Sequence, residues 1–126
     1  MKIHNPSSIF SAPSYSHGIE IPPNARWLYI AGQVGAAADG KIKEGVEAQT
    51  DQVFRNLKAV LAAAGMGMEN MVKITTYLTD ENSIAAYRKG RAQHLGDFRP
   101  ASTLVIVKRL ADPGWLVEVE GIAAKA

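Results

Sequence analysis

Cysteine is missing from this 126-residue chain. With it go disulfides, zinc–thiolate centres, iron–sulfur clusters and a cysteine nucleophile. No apolar stretch approaches the roughly 20 residues that a membrane helix needs, so a membrane partner is not expected. The first 18 residues, MKIHNPSSIFSAPSYSHG, hold one lysine followed by polar residues and prolines instead of an apolar signal core, which places the chain in the cytoplasm. Charge of one sign is also scarce: 14 Lys and Arg against 12 Asp and Glu leave a net charge of +2, short of the clustered basicity of a chain built to hold nucleic acid. Low-complexity tracts, repeats and linkers are absent too, and 126 residues suit one domain spanning 1–126.

What is present is ordinary globular material, 47% hydrophobic and 21% charged. The slight basic excess gathers in RKGRAQHLGDFR, where Arg88, Lys89, Arg91 and Arg99 face the single acid Asp97. That segment reads either as a solvated helix face or as an anion-attracting one. His4, His17 and His94 stand far apart, with no carboxylate at ligand spacing, and are read as surface or packing residues; no metal is expected. Gly65-Met66-Gly67 follows a helical pattern instead of joining a strand to a helix, so it stops the helix and cradles no dinucleotide.

Periodicity orders the elements. RWLYIAGQV, residues 26 to 34, is β-rich and follows the turn signal IPPNA; YSHGIEI before it is the expected hairpin partner. From Val46 the apolar residues Val53, Phe54, Leu57, Val60, Leu61 and Ala64 recur at spacings of three and four up to Gly65, which predicts a helix. MVKITTYLTD is β-branched, and Asp80 to Ser83 supply capping side chains for a second helix over about 83 to 95. STLVIVKRL and WLVEVEGIA, separated by ADPG, predict a closing hairpin. The order β-β-α-β-α-β-β, with hairpins at both ends, implies an α+β fold with two helices on one face of a sheet.

The last strand holds the most informative chemistry. Alternation puts Leu116, Glu118, Glu120 and Ile122 on one side and Val117, Val119, Gly121 and Ala123 on the other, so two carboxylates share a face roughly 6.6 Å apart. Partial burial and mutual repulsion would raise the pKa of at least one and make it a proton donor or a water-orienting base. The alternative is that both are cross-strand partners for Lys73, Lys108 or Arg109. Trp27 and Trp115, each at a strand start, are assigned to packing or a subunit contact.

APSYSHG, YIAGQVG, QVFRNLKAVLAAAG, VKITTYLTD, GDFRPAST and WLVEVEGIA together resemble, in order and spacing over nearly the whole chain, the RidA/YjgF family of reactive-intermediate deaminases, also labelled L-PSP endoribonucleases. The resemblance implies a chorismate-mutase-like α+β fold and a homotrimer whose sheets form a central barrel, with ligand clefts between subunits. It also implies hydrolysis of amino-acid-derived imines and enamines to keto acids and ammonia, with neither metal nor organic cofactor. By position it assigns Tyr15 and Gly32 to the ligand's surroundings and Glu120 to water positioning.

The match fails at one motif. The deaminase branch reads Pro-Ala-Arg-Ser, its arginine gripping the substrate carboxylate; here Ser102 occupies that place, and a hydroxyl does not replace a bidentate cation. Three further lining positions depart with it: Ala31 for a serine, Leu104 for a small polar residue or cysteine, and Arg88 for an asparagine. The expectation is a small anionic metabolite, a keto acid or imine-like molecule, bound by Tyr15, Gly32, Arg88, Ser102 and Leu104, with Glu120 acting on water. A non-catalytic metabolite-binding trimer is the alternative. Ribonuclease action comes third, because no His pair or His–Lys pair stands at acid–base spacing.

Overall fold

The computed structural model describes residues 1–11 and 13–126. Strands β1 (Lys2–His4), β2 (Gly18–Glu20) and β3 (Arg26–Val34) lead into α1 (Gly45–Ala63). Then β4 (Met71–Leu78), α2 (Ile84–Leu95), β5 (Ala101–Ile106) and β6 (Val117–Lys125) follow. Beyond the short β1, the order is the one the periodicity predicts. The main sheet is mixed, ordered β3-β6-β4-β5, with β5 parallel to β4 and the other pairs antiparallel. Both helices pack on one face of it.

Neither predicted hairpin forms. β2 pairs with β1, not with β3. Between β2 and β3 lie Pro22 and Pro23, which lack the N–H groups a ladder needs. They form a turn in which Ala25 N–H donates to Pro22 O and Asn24 takes φ +71°, the geometry of a type II turn. At the other end β6 does not fold back on β5 but inserts between β3 and β4. Its burial decides this: Val117, Val119 and Ala123 are fully buried and need neighbours on both sides, whereas β5 exposes Thr103, Val105 and Ile106 and tolerates the edge. β4, α2 and β5 thereby become a parallel crossover unit.

The helix stripe behaves as its spacing predicts. Val53, Phe54, Leu57 and Leu61 are fully buried, each contributing about 1.5–3 kcal/mol of apolar burial. The helix stops at Gly65, whose φ of +69° favours glycine. The second helix starts at Ile84 after a 3₁₀ turn over Glu81–Ser83. Asp80 caps that turn by accepting from Asn82 N–H at 2.8 Å, while Ser83 makes no capping bond. On β6, Gly121 cannot carry a Cβ: one would lie 2.8 Å from the Lys73 carbonyl oxygen. No helix is long and apolar enough to cross a membrane among the described residues.

Candidate functional site

A cleft opens where the segment before β2 crosses the start of β5. Ser16 fastens that crossing: its N–H donates to Pro100 O at 3.2 Å, its Oγ to Arg99 O at 2.5 Å, and it bridges Ala101 in parallel. Tyr15 is thus held beside the beginning of β5. Ser102 and Leu104 are registered with Ile74 and Thr76, both fully buried beneath the helices, so they point to the helix side of the sheet. From above, α2 contributes Tyr87, Arg88 and Arg91. The resulting cavity has a volume of about 250 Å³ and gathers Tyr15, Arg88, Ser102 and Leu104 around one space.

Arg88 is exposed and lines this cavity. Arg91 and Tyr87 are cavity residues that the sequence reading did not single out. Arg91 is only 7% exposed and donates through Nη2 to Ser14 O at 3.1 Å. Burial lowers its pKa, the positive charge of Arg88 acts in the same direction, and Tyr87 opposes both. Tyr87 is buried against Phe54 and shares a 2.6 Å hydrogen bond with the Thr76 hydroxyl; its phenol pKa is pushed up, chiefly by burial. A signal for both was available. The positions 84, 87, 91 and 95 form the inward stripe of α2 at spacings of three and four, and Arg91 occupies an apolar place on it.

Gly32 and Glu120 do not line this cavity. Glu120 is registered with Thr75 and accepts a short hydrogen bond from the Tyr77 hydroxyl. It therefore lies on the sheet face turned away from the helices, as does Glu118, whose carboxylate sits where a Cβ on Gly32 would be. The alternation read along β6 holds, and the Glu118 pKa is raised, first by burial and then by the charge of Glu120. Lys73 donates to Thr103 Oγ1 at 2.6 Å and joins no ion pair; neither glutamate makes a salt bridge among the described residues. The same holds for Lys108 and Arg109, the latter donating to the carbonyls of Leu110 and Ala111.

The histidines remain apart. His94 Nε2 meets Asp51 Oδ1 at 2.8 Å, His17 Nε2 lies 2.5 Å from Phe10 O, and His4 is 3.7 Å from Glu20. No three potential metal-ligating side chains converge among the described residues.

Two helices on one face of a mixed sheet, with a small cation-lined cleft under the second helix, define a chorismate-mutase-like α+β protein. The chain matches the family described as Endoribonuclease L-PSP over residues 6–125 and belongs to that RidA/YjgF family. It is 38% identical over 117 residues to a RutC family protein of Pyrococcus horikoshii, covering 88% of this chain and 86% of that one. The Yersinia pestis protein YyfB, of the conserved Rid family and of unknown function, superposes with a TM-score of 0.87 at 32% identity, over 98% of both chains. Escherichia coli TdcF with bound serine superposes with a TM-score of 0.76 at 25% identity, over 92% of this chain and 91% of TdcF.

Proposed function

We propose that this protein binds a small anionic metabolite, a keto acid or an imine-like precursor of one, in the cleft between Tyr15, α2 and the start of β5. The observation that carries the reading is the convergence of Arg88, Ser102, Leu104 and Tyr15 on one cavity of about 250 Å³. A cation reaches the space although Ser102 stands where the deaminase branch has its arginine. Serine held by TdcF supports a ligand of amino-acid size. A cytoplasmic location belongs to the same reading.

Hydrolysis of an imine would need a water-orienting carboxylate beside the ligand. In one chain Glu120 lies on the opposite face of the sheet from Ser102 and Leu104, so it reaches a bound ligand only if a second subunit supplies it. Assembly as a homotrimer with clefts at the boundaries is therefore part of the proposal. The exposed outer-face residues Tyr29 and Val105 favour such a covering. In that arrangement a ligand carboxylate meets Arg88, Glu120 of the neighbour orients water, and ammonia and a keto acid leave. A purely metabolite-binding trimer is the second reading, favoured by the serine at position 102.

The test compares Arg88→Ala with Lys89→Ala by calorimetry on a panel of keto acids and carboxylates. Arg88→Ala is expected to weaken binding and Lys89→Ala to leave it unchanged; a parent protein that binds nothing in the panel overturns the reading. Hydrolysis of 2-aminoacrylate or 2-iminopropionate is expected to be slow. Without the charge-assisted bidentate contact, transition-state binding loses roughly 2–4 kcal/mol, about 30- to 1000-fold in rate. A coupled assay of keto-acid release checks this against an arginine-bearing relative, and equal turnover would refute it.

A further inference from the structure

Arg91 is held in an unusual state for a buried cation. It is 93% removed from solvent, being 7% exposed, and its one hydrogen-bond partner among the described residues is the Ser14 carbonyl. Its Nε is buried with no partner. The ion pairs among the described residues are His4–Glu20, Arg55–Asp51 and His94–Asp51, so no carboxylate answers Arg91. Another cation on its own helix, Arg88, lines the same cavity. A desolvated guanidinium without a counter-charge is unfavourable unless an anion completes it.

A second cavity, of about 200 Å³, lies on the other side of the same two arginines. It shares Ser14, Arg88 and Arg91 with the first, but its remaining walls include Pro13, Ala92, Leu95 and Phe98, together with a third cation, Arg99. One side of the guanidinium pair is thus polar, with Tyr15 and Ser102; the other is largely apolar. Two adjoining cavities with cations where they meet suit a molecule whose anionic head sits at the junction and whose apolar body extends to one side.

Resting on the metabolite-binding reading above, we propose that Arg91 is the principal anion anchor of this protein, and that the ligand is a carboxylate with an aromatic or branched apolar body seated against Leu95 and Phe98. The planar guanidinium, which lines both cavities, matches a carboxylate in geometry and charge. Arg88 adds attraction from the rim. The anchor lost at Ser102 is then replaced from the helix instead of from the strand, and the substrate range shifts from short amino-acid derivatives to bulkier acids.

The experiment is calorimetry with matched probes: pyruvate, phenylpyruvate, the methyl ester of phenylpyruvate and phenyl phosphate. Phenylpyruvate is expected to bind at least about tenfold more tightly than pyruvate through burial of its ring, and the uncharged ester to bind far more weakly. Arg91→Met should reduce carboxylate binding by about 30-fold or more, with Arg91→Lys partly restoring it. Because Arg91 also holds Ser14, a second variant leaves that contact alone: Ala92→Phe, at an exposed position of α2, fills the apolar cavity. It should abolish the preference for phenylpyruvate while sparing pyruvate. Carboxylate binding indifferent to both Arg91→Met and Ala92→Phe overturns this inference and leaves the metabolite-binding reading standing. Tighter binding of phenyl phosphate overturns the carboxylate assignment, and failure of every acid to bind overturns both readings.

Discussion

Asp51 is the residue at which charge, burial and tertiary contact meet outside the cleft. It accepts from Arg55 Nε at 2.7 Å one helical turn away and from His94 Nε2 at 2.8 Å across to α2. The hydrogen bond from Arg55, then that from His94, lowers its pKa below the usual 3.8. A carboxyl whose folded pKa is depressed contributes stability above its unfolded pKa and loses it as pH falls through the folded one. The window therefore begins near pH 3.8 and extends downward. Asp51 is 45% exposed, so solvent screens the pair and Asp51→Asn should lower neutral-pH stability by no more than about 1 kcal/mol. Urea midpoints of the two proteins should converge below pH 3.8; a constant gap across that range would show that the charge is not responsible.

At the scale of elements, one buried amide in α1 ties down the long connections on either side of it. Gln49 is 2% exposed, and its Nε2 donates to the carbonyls of Lys43 and Gly114, both at 3.1 Å. Its Oε1 accepts from Leu116 N–H at 2.8 Å. The residues just before β6 and just before α1 are thereby fastened to one side chain. Gly35 makes room for it, since a Cβ there would lie 2.6 Å from Gln49 Cβ. Gln49→Ala leaves three backbone groups without their partner and should cost about 2–3 kcal/mol, read as a lower denaturant midpoint with an unchanged slope. Gln49→Glu should be similarly harmful, because two carbonyls would then face a carboxylate. Nothing in the local pattern of α1 marks Gln49 as different from Gln52, whose amide donates to Asn56 at 2.8 Å; the difference arises from what lies across the helix.

For the whole molecule, the sheet divides the chemistry. Arg88, Arg91, Ser102 and Tyr15 lie on the helix side, while Glu118, Glu120 and Tyr77 lie on the outer side. A face carrying Tyr29 at 71% exposure beside two carboxylates is a poor permanent surface for a monomer. Sedimentation equilibrium at micromolar concentration is expected to give three times the monomer mass of 13.6 kDa. A monomer would separate Glu120 from the cleft for good and remove hydrolysis from the proposal, leaving binding alone.

The sequence by itself determined what depends on near neighbours: the α1 stripe, its stop at Gly65, the two faces of β6, and the family to which the chain belongs. These were legible because helix and strand periods act over a few residues and leave a pattern wherever one face is buried. The cleft was partly legible, since Arg88, Ser102 and Leu104, singled out along the sequence, line one cavity. Strand partners were not. Whether β6 folds onto β5 or inserts beside β3 is decided by which strand must be buried on both edges, a property of the assembled sheet. The same holds for Arg91, whose sequence surroundings read as a basic face. Only the tertiary structure removes its guanidinium from water and sets it against the Ser14 carbonyl. Periodicity reports that a face is covered, and tertiary structure alone decides by what.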